Sequence, residues 1–303
     1  MKMASDPRLR WITKMKSVFS RTPITLERVI VCRMQTPKRI DLAGIHSGQL
    51  QRKTVAGRPN IVGTFSAPFA ETIKPIFEAS TGLVLFPSTE YGNFWRFIES
   101  EEEFAKINDW VAAQGSRIFL RDCLNLSIAL DCNFEDAEGG GYTKLGSLEH
   151  LAKSTNDVGA IACLSRVCVE TIGDLPYYRE AKFVAAVPAM SVKSFDLPSQ
   201  ISSNVAEALG KQNLTTGFEC KSLKEVPLKE ARVEDKWALL EKTGLRLRTK
   251  LPKDADVVLI DDKYQSGTTM QFVAMKLQKA GARYVFGISL VKTLRDTDNA
   301  SKE

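Results

Sequence analysis

The chain has 303 residues, of which 44% are hydrophobic and 26% are charged, and its net charge is +6. This composition is typical of a soluble globular protein with enough residues for two domains. No apolar run approaches the length of a membrane span, and the six cysteines form no C-x-x-C pair, so neither a membrane protein nor a zinc ribbon is expected. Without a secretory signal, reduced thiols and a cytoplasmic location are expected.

Residues 1–23 form a basic amphipathic arm, in which Trp11, Ile12 and Met15 belong to an apolar set at helical spacing. Three interpretations remain open. The arm could be a helix that packs on the body of the protein, which we favour, or a docking segment for an acidic partner or nucleic acid. It also has the loose features of an organelle transit peptide.

Residues 24–132 are predicted to form a small α+β domain, to which the sequence assigns no role. Strands are predicted at Arg28–Met34, Leu83–Phe86, Ile118–Leu120 and Leu126–Leu130. Ser100 followed by Glu103 is typical of a capping box, and a helical stripe of apolar residues follows it.

Residues 133–141 are acidic and rich in glycine, which indicates a linker. Beyond it, residues 142–295 alternate between helical and strand patterns, and residues 296–303 form a polar tail. Alternation of this kind predicts an α/β fold, with a parallel sheet flanked by helices.

The most informative stretch is Val257–Thr269, with the sequence V-V-L-I-D-D-K-Y-Q-S-G-T-T. The apolar run predicts a buried strand, which Asp261 and Asp262 should end. A hydroxyl-rich loop and a helix over Met270–Ala280 should follow, and such a loop suits a phosphate. The two carboxylates suit sugar hydroxyls, or a metal held with a polyphosphate.

This stretch resembles the signature of type I phosphoribosyltransferases, which implies that the ligand is phosphoribosyl pyrophosphate. The resemblance implies that Asp261 and Asp262 bind the ribose and, indirectly, Mg²⁺. It also implies a loop for the 5′-phosphate, formed by Gln265, Ser266, Gly267, Thr268 and Thr269.

Over residues 142–295 the chain is similar to the ComF competence-protein-like branch of that family. Leu148–Lys153 resembles a helix that ends in a lysine, and residues 221–237 resemble a mobile catalytic loop. The segment after Val187 resembles the pyrophosphate loop, formed by Pro188, Ala189, Met190 and Ser191. The resemblance implies that Lys153 and Lys193 act in catalysis.

Two features depart from the pattern of that branch. The segment after the proline loop has only one basic residue, Lys193, and Lys263 occupies a place that is more often apolar. The resemblance thus implies a Mg²⁺-dependent phosphoribosyltransferase, a glycosyltransferase whose acceptor is unknown. The alternative is a non-catalytic subunit that binds a nucleotide or phosphosugar within a nucleic-acid-handling complex for competence or bacterial defence, with a partner protein.

Arg246, Arg248 and Lys250 alternate with apolar or neutral residues, so a strand with one basic face is predicted there. Such a face is usually a solvated sheet edge. It is also a candidate for contact with nucleic acid, which would make binding depend on salt.

Overall fold

A computed structural model describes residues 18–35, 37–42, 49–69, 71–90, 92–136, 140–190, 195–222 and 232–294. The helices are α1 (Leu26–Met34), α2 (Ile73–Thr81), α3 (Glu101–Ala113), α4 (Lys144–Thr155), α5 (Val158–Asp174), α6 (Leu197–Leu209), α7 (Val233–Lys242) and α8 (Thr268–Ala280). The strands are β1 (Arg39–Asp41), β2 (Leu50–Arg52), β3 (Gly63–Ala67), β4 (Phe86–Pro87), β5 (Phe94–Ile98), β6 (Ile118–Leu120), β7 (Leu126–Ala129), β8 (Phe183–Ala186), β9 (Gln212–Asn213), β10 (Phe218–Glu219), β11 (Arg246–Leu247), β12 (Asp256–Tyr264) and β13 (Tyr284–Lys292).

The main sheet has seven strands in the order β1-β6-β7-β13-β12-β8-β9. The five strands from β7 to β9 in that order are parallel, whereas β6 and β1 join antiparallel at one edge. The sheet is therefore mixed: the strands that residues 142–295 contribute to it are parallel, as predicted, and its antiparallel edge consists of β1 and β6 from residues 24–132. Its centre is the pair β12 and β13, whose apolar sequences suit strands covered on both faces.

Helices cover both faces of this sheet, which makes the fold α/β. One core contains side chains of α4, α5 and α6, and the other contains side chains of α1, α7 and α8. Among the described residues, none of the helices is both long enough and apolar enough to cross a bilayer.

A second, four-stranded antiparallel sheet has the order β2-β3-β5-β4. Its buried residues share the core that also holds α2, α3 and the α4 side of the main sheet. The main sheet takes β1, β6 and β7 from residues 24–132, and the remaining strands from residues 142–295. It thus contains strands from both sides of segment 133–141, where the sequence predicts a linker.

Several local predictions hold. Ser100 caps α3 by accepting a hydrogen bond from the Glu103 backbone N–H at 3.1 Å. Strands β6 and β7 lie where predicted, and the apolar stripe predicted after Glu103 lies in α3, where Ile107, Trp110 and Val111 are buried. The strand predicted at Leu83–Phe86 is reduced to β4, which pairs with β5 through Phe86 and Pro87.

The strand predicted at Arg28–Met34 is wrong, because these residues belong to α1. Thr25 caps this helix by accepting a hydrogen bond from the Arg28 N–H at 3.3 Å. Val29 is buried, whereas Val31 and Met34 are exposed. The β-branched residues Val29, Ile30 and Val31 favour a strand only weakly, and packing on the sheet overrides that preference.

Helix α4 approaches the backbone that follows β7 very closely. A Cβ atom added to Gly146 would lie 2.1 Å from the carbonyl oxygen of Asn133. Only a residue without a side chain fits this contact, so Gly146 sets the position of α4 against the sheet.

We expect Gly146→Ala to lower the free energy of unfolding by about 1–3 kcal/mol, because the added methyl group forces α4 away from Asn133. Gly173→Ala in α5 is the matched control, since its added Cβ would meet nothing within 4 Å. The control should be neutral or stabilise the protein by up to about 1 kcal/mol. Urea unfolding of both variants checks this, and an unchanged Gly146→Ala midpoint would contradict the close contact.

Candidate functional site

The acid pair predicted to end a strand lies inside β12, which continues through Lys263 and Tyr264. The expectation that Asp261 and Asp262 end the strand is therefore wrong. The strand is longer because its pairing with β13 continues to Tyr264 and Lys292. The acids nevertheless lie beyond the level at which the neighbouring β8 ends, since Ala186 pairs with Ile260. They are thus at the carboxyl edge of the sheet, where α/β proteins bind ligands.

Lys153 of α4 reaches this acid pair. Its Nζ lies 2.8 Å from Oδ2 of Asp262, and the Asp262 side chain is only 16% exposed. The Asp262 backbone N–H donates to Oδ1 of Asp261 at 2.9 Å. The fold therefore brings together the lysine and the acids that the sequence singled out.

Glu149 lies one helical turn before Lys153, and its side chain is 2% exposed. Its Oε1 is 3.2 Å from Nζ of Lys153, an ionic contact without the alignment of a hydrogen bond. Its Oε2 is 3.2 Å from Nζ of Lys263. Because a buried carboxylate is costly unless it is paired, two lysines hold Glu149 in place.

Lys263, Glu149, Lys153 and Asp262 form a row of alternating charges, which we call the charge row. Burial on its own would lower the pKa of Lys153, but Asp262 and Glu149 outweigh it and raise the pKa above its ordinary value. Lys153 is therefore positively charged at neutral pH. Asp262 and Lys263 both contact α4, although neighbours on a regular strand point to opposite faces.

The predicted phosphate loop connects β12 to α8. Gly267 has a φ of +68°, and a Cβ atom there would lie 2.3 Å from the hydroxyl of Tyr264, so only glycine fits on both grounds. The hydroxyls of Ser266 and Thr268 are 2.9 Å apart. The N–H groups of the first turn of α8 lack partners within the helix, and they give this end a positive potential.

The predicted pyrophosphate loop follows β8, beside the acid pair. The Val187 N–H donates to the Ile260 carbonyl at 2.8 Å, which continues the pairing of β8 with β12. The Ala189 N–H donates to Asp196 at 3.3 Å, and Met190 is buried. The structure thus places Pro188, Ala189 and Met190 at the same sheet edge as Asp261.

Other predicted residues are placed differently or lie outside the described residues. Ser191 and Lys193 belong to segment 191–194, which lies outside the described residues. Residues 1–17 of the predicted arm, residues 223–231 of the predicted catalytic loop and residues 295–303 at the end of the chain also lie outside the described residues. The end of the predicted catalytic loop is helical, and its Lys236 is a buried residue of α7.

The basic face predicted at Arg246, Arg248 and Lys250 is shorter than expected, since only Arg246 and Leu247 form a strand. Glu219 of β10 pairs with Arg246, and it lies 3.9 Å from Arg248. Two of the three cations are therefore partly neutralised by the chain itself.

Sequence reasoning missed Glu149 and Asp122. Glu149 was detectable from its i,i+4 spacing to Lys153. Asp122, from the turn between β6 and β7, lies under the loop and accepts hydrogen bonds from the Tyr264 hydroxyl at 3.1 Å and the Leu124 N–H at 2.9 Å. No local pattern marks Asp122, because its partner Tyr264 is distant in sequence.

Burial raises the pKa of Asp122 from 3.8 to about 6. Between these values the native protein binds more protons than the unfolded chain, so the free energy of unfolding should fall as pH rises through this window. The difference between the two pKa values corresponds to about 3 kcal/mol of unfolding free energy. Asp122→Asn should lose this component, because the amide does not titrate.

Urea unfolding at intervals from pH 4 to pH 7 checks this expectation. Asp254→Asn serves as the control, because Asp254 is exposed at the opposite edge of the sheet. The free energy of unfolding of this control should change with pH as that of the wild type does, from pH 4 to pH 7. Parallel curves for the wild type and Asp122→Asn would contradict the raised pKa.

Comparison with known proteins finds no match, either to a family model or to a curated protein. The resemblance to phosphoribosyltransferases therefore depends on the residues quoted above, and the function drawn from it is a proposal.

Proposed function

We propose that the chain is a Mg²⁺-dependent phosphoribosyltransferase with a phosphoribosyltransferase-type fold. The observation that carries this proposal is the 2.8 Å contact between Lys153 and Asp262 at the carboxyl edge of β12. The turn into α8 and the segment after β8 lie at the same edge. A phosphosugar with a diphosphate needs such an arrangement, with cations, carboxylates and backbone donors close together.

In this proposal Asp261 and Asp262 accept hydrogen bonds from the ribose hydroxyls. The loop from Gln265 to Thr269 holds the 5′-phosphate with hydroxyls and the N–H groups at the start of α8. The segment 188–190 faces the pyrophosphate, Ser191 is proposed for the same role from the resemblance alone, and Lys153 supplies positive charge between the two ends. Lys193 is proposed for the same role from the resemblance alone.

The donor set suits Mg²⁺ that is held mainly by its substrate. Among the described residues, no group of three or more His, Cys, Asp or Glu side chains could hold a metal ion. Mg²⁺ commonly binds through one or two carboxylates together with substrate phosphates, and Asp261 and Asp262 are two such groups. When bound, Mg²⁺ would supply charge neutralisation for the departing pyrophosphate.

The reaction breaks the bond between C1 of the ribose and the pyrophosphate oxygen. The acceptor's lone pair forms the new bond to C1, the acceptor loses a proton, and pyrophosphate leaves with the electron pair. Positive charge on Lys153 stabilises the negative charge that develops on the leaving group. The buried Glu149 positions Lys153, and Asp262 and Glu149 together raise the pKa of Lys153 and keep it protonated.

A second candidate function is a binding subunit without turnover. The contact between Lys263 and Glu149 favours this second function. With that contact, the charge row contains two acids and two lysines. Such a row is electrically balanced before any ligand arrives. The chain would then act as a phosphosugar or nucleotide sensor within a larger nucleic-acid-handling complex.

We expect the wild type to bind phosphoribosyl pyrophosphate in the presence of Mg²⁺, and Asp261→Asn/Asp262→Asn to weaken binding at least about 100-fold. Each hydrogen bond to a charged group contributes about 1.5–3 kcal/mol, so the loss of two is sufficient. Calorimetric titration measures the change. Asp254→Asn is the control and should bind as the wild type does, whereas a folded wild type that binds nothing would refute the proposal.

Turnover separates the two candidate functions. An enzyme should release pyrophosphate when supplied with nucleobases or amines as acceptors, and Lys153→Met should slow release by about 100-fold because a stabilising charge is lost. Lys144→Met, an exposed position on the same helix, should leave the rate unchanged. Binding without release, together with a co-purifying partner, would favour the binding subunit.

A further inference from the structure

We propose that Cys32 and Cys123 are a modification site, at which a small-molecule disulfide oxidises the two thiols to an intramolecular disulfide bond and a small thiol reduces it again. Cys32 lies in the last turn of α1, and Cys123 lies in the turn between β6 and β7. Both are free cysteines and partly exposed. Their side chains are hydrogen-bonded to each other, although they are distant in sequence. We call these two residues the thiol pair.

The fold holds both members of the thiol pair in place. The Cys123 N–H donates to Oε1 of Gln271 on α8 at 3.0 Å. The start of the helix that carries Cys32 is attached to the same α8, since the Ile24 N–H donates to Oε1 of Gln278 at 2.9 Å. A disulfide bond is about 2 Å long, so its formation requires only that two hydrogen-bonded sulfur atoms close the remaining gap.

The two thiols differ in reactivity. The hydrogen bond from the Cys32 S–H lowers the pKa of Cys123, and the positive charge of Arg28 adds to this effect, whereas burial and Asp122 oppose it. The same hydrogen bond, together with burial and the charge of Asp122, raises the pKa of Cys32. Because the thiolate is the form that attacks a disulfide, Cys123 is the nucleophile and Cys32 is the thiol that reacts second.

A small disulfide has access to Cys123. This residue lines a cavity of about 440 Å³, a size typical of small-molecule sites. Among the described residues that line it, none belongs to the acid pair, to the loop 265–269 or to the segment 188–190. The thiol pair is therefore separate from the proposed ribose, phosphate and pyrophosphate positions, and it does not depend on the proposed function.

Oxidation takes place by two thiol–disulfide exchanges. The Cys123 thiolate attacks one sulfur of the small disulfide, whose S–S bond breaks, and one thiolate leaves with the electron pair. Cys32 then loses its proton and attacks the Cys123 sulfur of the mixed disulfide, and the second thiolate leaves. The two thiol protons end on the two leaving groups. The thiol pair is thus oxidised, and the small disulfide is reduced to two thiols.

The test is oxidation of the folded full chain in buffers with a decreasing ratio of reduced to oxidised glutathione. Iodoacetamide blocks the remaining thiols, and peptide mapping by mass spectrometry without reduction identifies the products. A cross-linked peptide that contains Cys32 and Cys123 should form, and dithiothreitol should remove it. Cys163→Ser is the matched control and should form the same cross-link, because Cys163 is also partly exposed but lies on α5, on the opposite face of the sheet.

Two single variants test the order of the steps. Cys32→Ser lacks the second thiol, so oxidised glutathione should leave a mixed disulfide on Cys123. Cys123→Ser should acquire glutathione at Cys32 at least about tenfold more slowly, because little thiolate is present there. Equal rates in the two variants would overturn the assignment of Cys123 as the nucleophile.

The wild type alone decides whether the site exists, even if a variant does not fold. No cross-link between Cys32 and Cys123 at the most oxidising ratio would overturn the proposal, and so would preferential pairing of other cysteines. A sample oxidised in urea should pair its six cysteines without preference. An equal yield of the Cys32–Cys123 cross-link in the folded and unfolded samples would show that the fold does not bring the two thiols together.

A further variant separates this site from the proposed function. Asp261→Asn/Asp262→Asn should form the cross-link as the wild type does, whether or not the wild type binds phosphoribosyl pyrophosphate. A wild type that forms the cross-link and binds no phosphoribosyl pyrophosphate would support the thiol pair and refute the proposed function. The opposite result would support the proposed function and refute the thiol pair.

Discussion

The carboxylate of Glu149 lies between two lysines at the candidate site. It is almost completely buried, and a charge in that position is tolerated only with partners of opposite sign. Lys153 and Lys263 provide them, and Lys153 also reaches Asp262. One buried charge thereby ties α4 to the carboxyl end of β12 and holds a lysine beside the acid pair.

The placement of α4 depends on backbone contact as well as on charge. Gly146 lets the helix touch the carbonyl of Asn133, in the segment that continues from β7. Asn133 N–H in turn donates to the carbonyl of Lys292 at the end of β13. The helix that carries Lys153 is therefore fixed against the same edge of the sheet as the acids, which favours a preorganised site over one assembled by the ligand.

The other side of the loop depends on Tyr264. Its ring lies against Gly267, and its hydroxyl donates to Asp122, from the turn between β6 and β7. The loop between β12 and α8 is thus supported by residues from the first half of the chain. This connection gives that half a structural role in the site.

Several elements of the fold can be predicted from short-range signals along the chain. The apolar run of β12, the cap at Ser100 and the loop that leads into α8 each follow from neighbouring residues, because a strand, a cap and a loop before a helix have short-range signals. The sequence predicts a strand where α1 lies, because β-branched residues weakly favour strands. Packing against the sheet decides in favour of the helix. The extension of β12 through the acid pair was missed because pairing with β13, and not composition, sets the length of that strand.

The fold, and not the local sequence pattern, sets which of these elements meet. It brought Lys153 to Asp262, buried Glu149 between two lysines and joined β1, β6 and β7 to the strands of the second half in one sheet. Charge pairing and burial act through space and leave no periodic trace along the chain, so they become visible only when the folded neighbours are known.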